Sequence, residues 1–261
     1  MAKAGLTAAL IQVLTLLGTC LIMLTARAAD LSVASSGGFA AAYKLLAPGF
    51  EQQTGHKLRP IWGPSMGETQ GAIPKRLERG EAIDVVIMVG DSLDKLVAQG
   101  KVLADHHVLL ARSRIAMVVK AGASKPDISS LAAFKQALLN ARSLAYSDSA
   151  SGVYLSTQLF ARLGLADQLK SKSRMIQAEP VAQVVARGEV DIGFQQLSEV
   201  LPVPGIDIVG LLPDEAQQVT LYSAGVVATS AHPDAAKSFI DYLSAPQAAP
   251  FISQTGLDPA H

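Results

Sequence analysis

The chain has 261 residues, with 22 Lys and Arg balanced by 22 Asp and Glu, and it is 49% hydrophobic but only 5% aromatic. Zero net charge in a Val-, Ile- and Leu-rich sequence excludes a disordered tail, and the lack of a basic excess argues against a nucleic-acid binder. The length suits one large domain or two small ones with ample surface to bury.

Met1 to Ala28 reads as a secretory signal peptide. Lys3 gives the positive start, Leu6 to Leu24 the apolar run, and Ala26-Arg27-Ala28 an A-x-A cleavage site. A membrane anchor is the competing reading of the apolar run. The small-residue site and the polar, strand-like segment after it favour cleavage near Ala29, leaving no stable anchor. Thr19 before Cys20, and the apolar residues beyond it, speak against lipidation. Cys20 is the single cysteine, so the mature chain has none, and thiolate metal sites, disulfides and cysteine nucleophiles are excluded. His56, His106, His107, His232 and His261 show no metal-ligand spacing, and the adjacent pair His106-His107 is expected in a polar loop. No metal and no cofactor are expected.

Beyond the leader, short β-branched runs alternate with helical stretches, the pattern of a parallel α/β sheet. Leu31 to Ala34 is predicted as a strand, Ser35 to Gly38 as a tight turn, and Phe39 to Thr54 as a helix stopped by Gly55. His56 to Trp62 is the second strand, and after Gly63-Pro64-Ser65-Met66-Gly67 a helix runs to about Arg79. Asp84 to Val89 is a buried strand and Asp91 to Gln99 a helix. Arg112 to Lys120 is predicted as one strand with an arginine pair at its entry. Ser129 to Asn140, Ser151 to Leu163 and Val181 to Arg187 are predicted helices, interleaved with strands at Ser143 to Tyr146, Arg174 to Gln177 and Val190 to Gln195. Ile206 to Leu211 and Gln217 to Thr229 read as returning strands, and Pro233 to Ser244 and Pro246 to Gln254 as closing helices. No repeat or low-complexity linker interrupts the series.

Three Ser- and Gly-rich turns carry the functional signal: Ser35 to Gly38, Gly63 to Gly67 and Ser147 to Tyr154. Each puts free backbone N–H groups and hydroxyls at a helix start, where converging amides and the helix dipole favour an anion. Any one alone is an ordinary N-cap. Three in one chain, two after strands of the first unit and one in the second, point to an anion bound in a cleft, because ligands of open α/β sheets gather at strand carboxyl ends.

At this point the mature region resembles the class II periplasmic solute-binding proteins of the molybdate-binding type. The resemblance rests on the first strand entering a Ser-rich turn, on Arg79-Gly80-Glu81-Ala82-Ile83-Asp84-Val85-Val86-Ile87, on Ser151-Gly152-Val153-Tyr154 and on the Pro246-Gln247-Ala248-Ala249 helix. It implies a periplasmic α/β protein of two lobes joined by crossing hinge strands around an inter-lobe cleft. The first lobe would hold residues 29–112 and 222–261, the second residues 113–221. The ligand contacts transfer less well. Gly38 stands where the family has a serine, Gly63 to Gly67 replaces the second serine cluster, and Gln195, followed by Gln196, falls at the oxyanion-binding tyrosine. Two glutamines, wide glycine turns and the possible cleft arginines Arg112 and Arg114 suit a planar carboxylate better than a compact oxyanion.

Ser149-Ala150-Ser151-Gly152-Val153-Tyr154 and Gly193-Phe194-Gln195-Gln196 are also similar to the branch of this fold that interconverts cis- and trans-aconitate. That resemblance implies an isomerase moving a double bond by an allylic proton shift, without metal or cofactor. The expected ligand contacts are Ser36, Gly37, Gly38, Ser65, Met66, Arg114, Ser149, Ser151, Gly152, Val153, Tyr154, Gln195 and Gln196. Tyr154, Glu68 and His56 are candidate proton carriers, and the residues do not choose among them. The alternative is a non-enzymatic receptor that closes on a small carboxylate or molybdate-like oxyanion and delivers it to a membrane permease. Both readings expect a small anionic ligand and no nucleic acid.

Overall fold

In the computed structural model, which describes residues 28–177 and 179–260, the strands form two sheets. The expected leader, save Ala28, lies outside the described residues. β1 (Asp30–Ser35), β2 (Lys57–Trp62), β3 (Val85–Val89) and β4 (Val102–Ser113) open the first sheet, and β5 (Ile115–Lys120), β6 (Leu144–Ser147), β7 (Ser173–Ile176), β8 (Ile192–Gln196) and β9 (Ile206–Leu211) make the second. The chain then returns to the first sheet with β10 (Thr220–Val227) and the short β11 (Asp258–Pro259). The strand orders are β11-β4-β10-β3-β1-β2 and β7-β6-β8-β5-β9. β1 runs parallel to β2 and β3, and β6 parallel to β7 and β8, whereas β10 and β5 are antiparallel to their neighbours.

Both sheets are buried on two faces, as the unbroken apolar strands require. In β3, Val85, Ile87 and Val89 enter one core while Val86 and Met88 enter another. In β5, Ile115, Met117 and Val119 divide from Ala116 and Val118 in the same way. Alternate side chains of a strand point to opposite faces, so each sheet is the middle layer of an α/β/α sandwich. The long helix α1 (Gly37–Thr54) covers the first sheet with Phe39, Tyr43, Leu46 and Phe50. Truncating the fully buried Phe39 or Phe50 to alanine costs about 3–5 kcal/mol for such a site. Gly55, at φ 74°, ends α1 by donating its N–H to the Glu51 carbonyl at 2.9 Å.

The remaining helices are α2 (Ile73–Glu78), α3 (Gly90–Ala98), α4 (Leu131–Asn140), α5 (Ala150–Tyr154), α6 (Ala166–Lys170), α7 (Val181–Ala186), α8 (Leu197–Val200), α9 (Pro233–Ser244) and α10 (Ala249–Ser253). A π turn at Leu155–Leu159 carries α5 into a short α-helical turn, Phe160–Arg162, so the predicted helix from Ser151 to Leu163 changes winding in its middle.

Three expectations are corrected. Arg112 to Lys120 is not one strand: β4 ends at Ser113 in the first sheet and β5 begins at Ile115 in the second, so Arg114 sits at a crossing between sheets. His106 and His107 lie within β4, not in a loop, and approach Asp241 and Asp94 at 3.2 and 3.4 Å. The polar half of β4 hid the strand because it lies open at the sheet edge, the two-residue β11 pairing only with Ala111 and Arg112 at the other end. Finally, the helix expected after Gly67 is confined to Ile73–Glu78. The turn before it folds back on itself, with the Ile73 N–H donating to the Pro64 carbonyl at 3.0 Å.

The crossing is clasped by one side chain. Gln217 accepts the Ile115 N–H at 2.8 Å and donates to the Ile115 carbonyl at 3.0 Å, pairing with β5 as a neighbouring strand does. Beside it, Gln196 donates to the Thr220 hydroxyl at 2.8 Å, and the Leu197 N–H donates to the Arg114 carbonyl at 2.9 Å.

Candidate functional site

The carboxyl ends of β1, β3, β6 and β8 lead toward a cleft of about 450 Å³ between the sheets, within the size range of small-ligand sites. On the first-sheet side it is lined by Ser36, Gly37 and Gly38 at the start of α1, by Trp62 to Ser65, Thr69, Gly71 and Val89, and by Tyr222 of β10. Ser147, Asp148, Ser149, Glu179, Pro180, Gln195 and Glu199 complete it.

The mouth of α1 is the anion-attracting part. An 18-residue helix presents the partial positive charge of its first amides there, and Ser36 precedes it in extended backbone without capping it. Among the described residues the buried Ser36 hydroxyl has no hydrogen-bond partner, so its donor is unspent. The absent side chains at residues 37 and 38 let two groups close over this amide row. A Cβ at residue 37 would stand 2.5 Å from Glu199 Oε1, and the volume of a Cβ at residue 38 is occupied by the Tyr222 hydroxyl. Ser198 locks α8 to the same place, donating its hydroxyl to the Gly38 carbonyl at 2.7 Å.

Other polar groups are already engaged in shaping the wall. Ser65 accepts the Val89 N–H at 3.0 Å. Ser147 Oγ lies 3.0 Å from Ser149 Oγ and 3.3 Å from Ser151 Oγ, a row of hydroxyls at the second-sheet side. Gln195 Oε1 accepts the Ala182 N–H at 3.4 Å.

Among the described residues lining the cleft there is no Lys, Arg or His, and the titratable groups are Asp148, Glu179, Glu199 and Tyr222. An anion here would be held by backbone amides, hydroxyls and carboxamides rather than by cations. Burial pushes the Glu199 carboxyl up to about 7 and the charge of Asp148 adds to this, while hydrogen bonds from the Gln195 side chain and the Gln196 backbone oppose it. Asp148 is itself raised by burial. Burial lifts the Tyr222 phenol well above its ordinary value, with the nearby Glu199 carboxyl contributing, so it stays a proton donor throughout the physiological range.

Of the expected contacts, Ser36, Gly37, Gly38, Ser65, Ser149 and Gln195 line the cleft. The others are placed elsewhere. Arg114 pairs with Asp258 at 3.5 Å, and Arg112 reaches the Pro259 carbonyl at 3.5 Å, because the crossing directs both toward β11. Tyr154 packs in the second-sheet core, donates to the Ala216 carbonyl at 3.0 Å and accepts from Arg162 at 2.7 Å. Gln196 is turned to Thr220, and Met66 packs against the first core. Ser151 stands behind Ser147, the Gly152 backbone lies against the Ser147 carbonyl, and Val153 is outside the lining.

The candidate proton carriers are also engaged away from the cleft. His56 accepts the Ala29 N–H at 2.9 Å and stacks on Phe50, and Glu68 is an exposed partner of Lys75 at 2.8 Å. Glu199 and Tyr222 were missed. Neither has a local sequence signature, since Glu199 sits in the four-residue helix α8 and Tyr222 in an apolar strand.

Two α/β sandwiches joined by crossing strands, with a ligand-sized cleft between them, define a two-lobed solute-binding fold. Residues 31–258 match the model of the bacterial extracellular solute-binding protein family, and the chain belongs to that family. It is 56% identical over 229 residues to an aconitate isomerase from a Pseudomonas species, covering 88% of this chain and 87% of the relative. It is 27% identical over 252 residues to the molybdate-binding protein ModA of Azotobacter vinelandii, covering 92% and 94% of the two chains. The solved structure of the Azotobacter vinelandii periplasmic molybdate-binding protein superposes with a TM-score of 0.70 at 24% identity, over 87% of this chain and 98% of that one.

Proposed function

We propose that the protein interconverts cis- and trans-aconitate in the inter-lobe cleft by an allylic proton shift. The observation that carries this reading is the 56% identity, over most of both chains, to a protein of that activity. The cleft adds chemical support. Its size suits a six-carbon tricarboxylate, and the α1 amides with Ser36, Ser65, Ser149 and Gln195 offer donors at several points for planar carboxylates. The molybdate-receptor relatives are less similar, at 27% identity, and the receptor reading is correspondingly the weaker.

In the reaction a proton leaves the methylene carbon, the double bond moves to the carbon pair just vacated, and a proton arrives at the opposite terminal carbon. The new double bond takes the geometry in which the former methylene arm was held. Fixing that arm by hydrogen bonds to its carboxylate therefore selects the isomer made, and donors at the carboxylates stabilise the delocalised charge between the two steps. Substrate and enzyme meet in the periplasm after removal of the leader, and residues 29–112 with 222–261 close as one body on residues 113–221. The test is incubation of purified protein with trans-aconitate, with cis-aconitate followed by chromatography. Accumulation at catalytic protein concentration supports the isomerase, and binding without conversion returns the protein to the receptors.

A further inference from the structure

An allylic shift needs a group that takes a proton from carbon and returns one two carbons away. Few groups in this cleft are fitted for it. Glu179 accepts from both Arg187 Nη atoms, at 3.0 and 3.1 Å, so its charge is already neutralised on an exposed face. Tyr222 holds its proton too tightly to act as a base. Asp148 follows β6 in the second sheet, and the atoms nearest the first residue of α1 belong to Glu199, not to it. Glu199 is different. The Gln195 side chain and the Gln196 backbone donate toward its carboxyl, yet among the described residues its enclosed Oε2 has no hydrogen-bond partner, while Oε1 hangs over the first residue of α1 with no Cβ beneath it. A carboxylate kept for structure satisfies its oxygens, because leaving one unpaired out of water costs free energy.

Resting on the aconitate reading, we propose that Glu199 is the proton carrier of the isomerisation, working over the α1 amide row beside the Tyr222 hydroxyl. The Glu199 carboxylate takes the methylene proton, and the C–H electron pair spreads through the allyl system onto the terminal carboxylates. Tyr222 and the α1 amides donate hydrogen bonds to the oxygens that gain charge. The Glu199 O–H bond then breaks as a C–H bond forms at the other terminal carbon, and the double bond settles one position along. The carboxylate is regenerated, and no oxidant or reductant takes part. The titratable groups facing Glu199 are Asp148, Tyr222 and, at the rim, Glu179. Near neutral pH both forms of the Glu199 carboxyl are populated, the condition under which one group serves efficiently as base and then as acid.

The test compares wild type with Glu199→Gln and Glu199→Asp for kcat, KM and pH profile, and for trans-aconitate affinity by calorimetry. Glutamine keeps the size and hydrogen bonding of a protonated carboxyl but cannot take a proton. The expected result is a kcat for Glu199→Gln lower by about 100-fold or more, with affinity within a few-fold of wild type. Wild type is expected to show a rise of kcat/KM with pH through about 7, and the residual rate of Glu199→Gln to lose it. Glu199→Asp, which keeps a displaced carboxylate, retains that rise at reduced kcat, and it carries the test if Glu199→Gln does not fold. Near wild-type turnover in Glu199→Gln, or a Glu199→Asp profile without the rise, overturns the role of Glu199 while leaving the isomerase reading intact. A wild-type protein that binds trans-aconitate but never converts it overturns both.

Discussion

The Tyr222 hydroxyl rests on the α-carbon of Gly38, in the space where any other residue would carry its Cβ. The contact joins β10, which pairs with β3, to the first turn of α1, so the phenol and the helix amides reach the cleft as one unit. A serine at residue 38 would need the space that the Tyr222 hydroxyl takes.

Gly38→Ala is therefore expected to disable the site more than the fold. The added methyl must displace the buried phenol from the amide row, which overpacking makes costly by about 1–3 kcal/mol. The expected outcome is a lower melting temperature and at least a tenfold loss of trans-aconitate affinity. Tyr222→Phe combined with Gly38→Ala does not restore binding, since the ring itself fills the space. Calorimetry on the two variants checks this.

Tyr154→Phe and Arg114→Ala are expected to leave turnover within about twofold of wild type. Tyr154 loses a hydrogen bond to the Ala216 carbonyl in the second core, worth about 1 kcal/mol of stability. The exposed Arg114–Asp258 pair is worth less than that. Steady-state kinetics beside thermal melts separate these effects, and a raised KM for Arg114→Ala would put the guanidinium back in the cleft.

Glu199 also gives stability a pH dependence of known sign. Its carboxyl is raised to about 7 in the fold, above the ordinary carboxylate value of 4.5. The folded state thus holds a proton that the unfolded state gives up, and stability from this group is full below pH 4.5 and lost as pH rises toward 7. The slope of melting temperature against pH in this window is expected to be less negative in Glu199→Gln than in wild type. Equal slopes would show that the carboxyl is not raised.

Gln217 is the clasp of the crossing, holding both the N–H and the carbonyl of Ile115. Gln217→Ala leaves the Ile115 N–H without this acceptor, while its carbonyl keeps the Leu212 N–H at 3.1 Å, and is expected to cost about 1–3 kcal/mol. It also loosens the junction about which the lobes are proposed to move, so small-angle scattering of the ligand-free variant should report a larger radius of gyration than wild type. An unchanged radius would show that the crossing strands alone set the angle.

What the sequence revealed follows from how local each signal is. β3 is legible because Val85 to Val89 is apolar at every position, and the mouth of α1 because Ser35-Ser36-Gly37-Gly38 joins a strand to a helix. β4 was not, because its edge position leaves His106, His107 and Arg112 polar inside a strand. Glu199 was hidden for a different reason. What makes it unusual is the approach of α8 to α1, fixed by the Ser198–Gly38 hydrogen bond across 160 positions of sequence. Tyr154 reads as a site residue from the Ser151-Gly152-Val153-Tyr154 resemblance and Arg114 from the arginine pair at a strand entry, yet each side chain is directed into a different set of contacts.

The most direct test of the account is a proton NMR time course of the purified wild-type protein with each aconitate isomer in turn, the protein present at a small fraction of the substrate concentration. Both samples are expected to converge on one cis-to-trans ratio, with many turnovers per protein molecule. Samples that keep their starting isomer, while either isomer still raises the melting temperature of the protein, would contradict it and leave a receptor that binds aconitate without changing it.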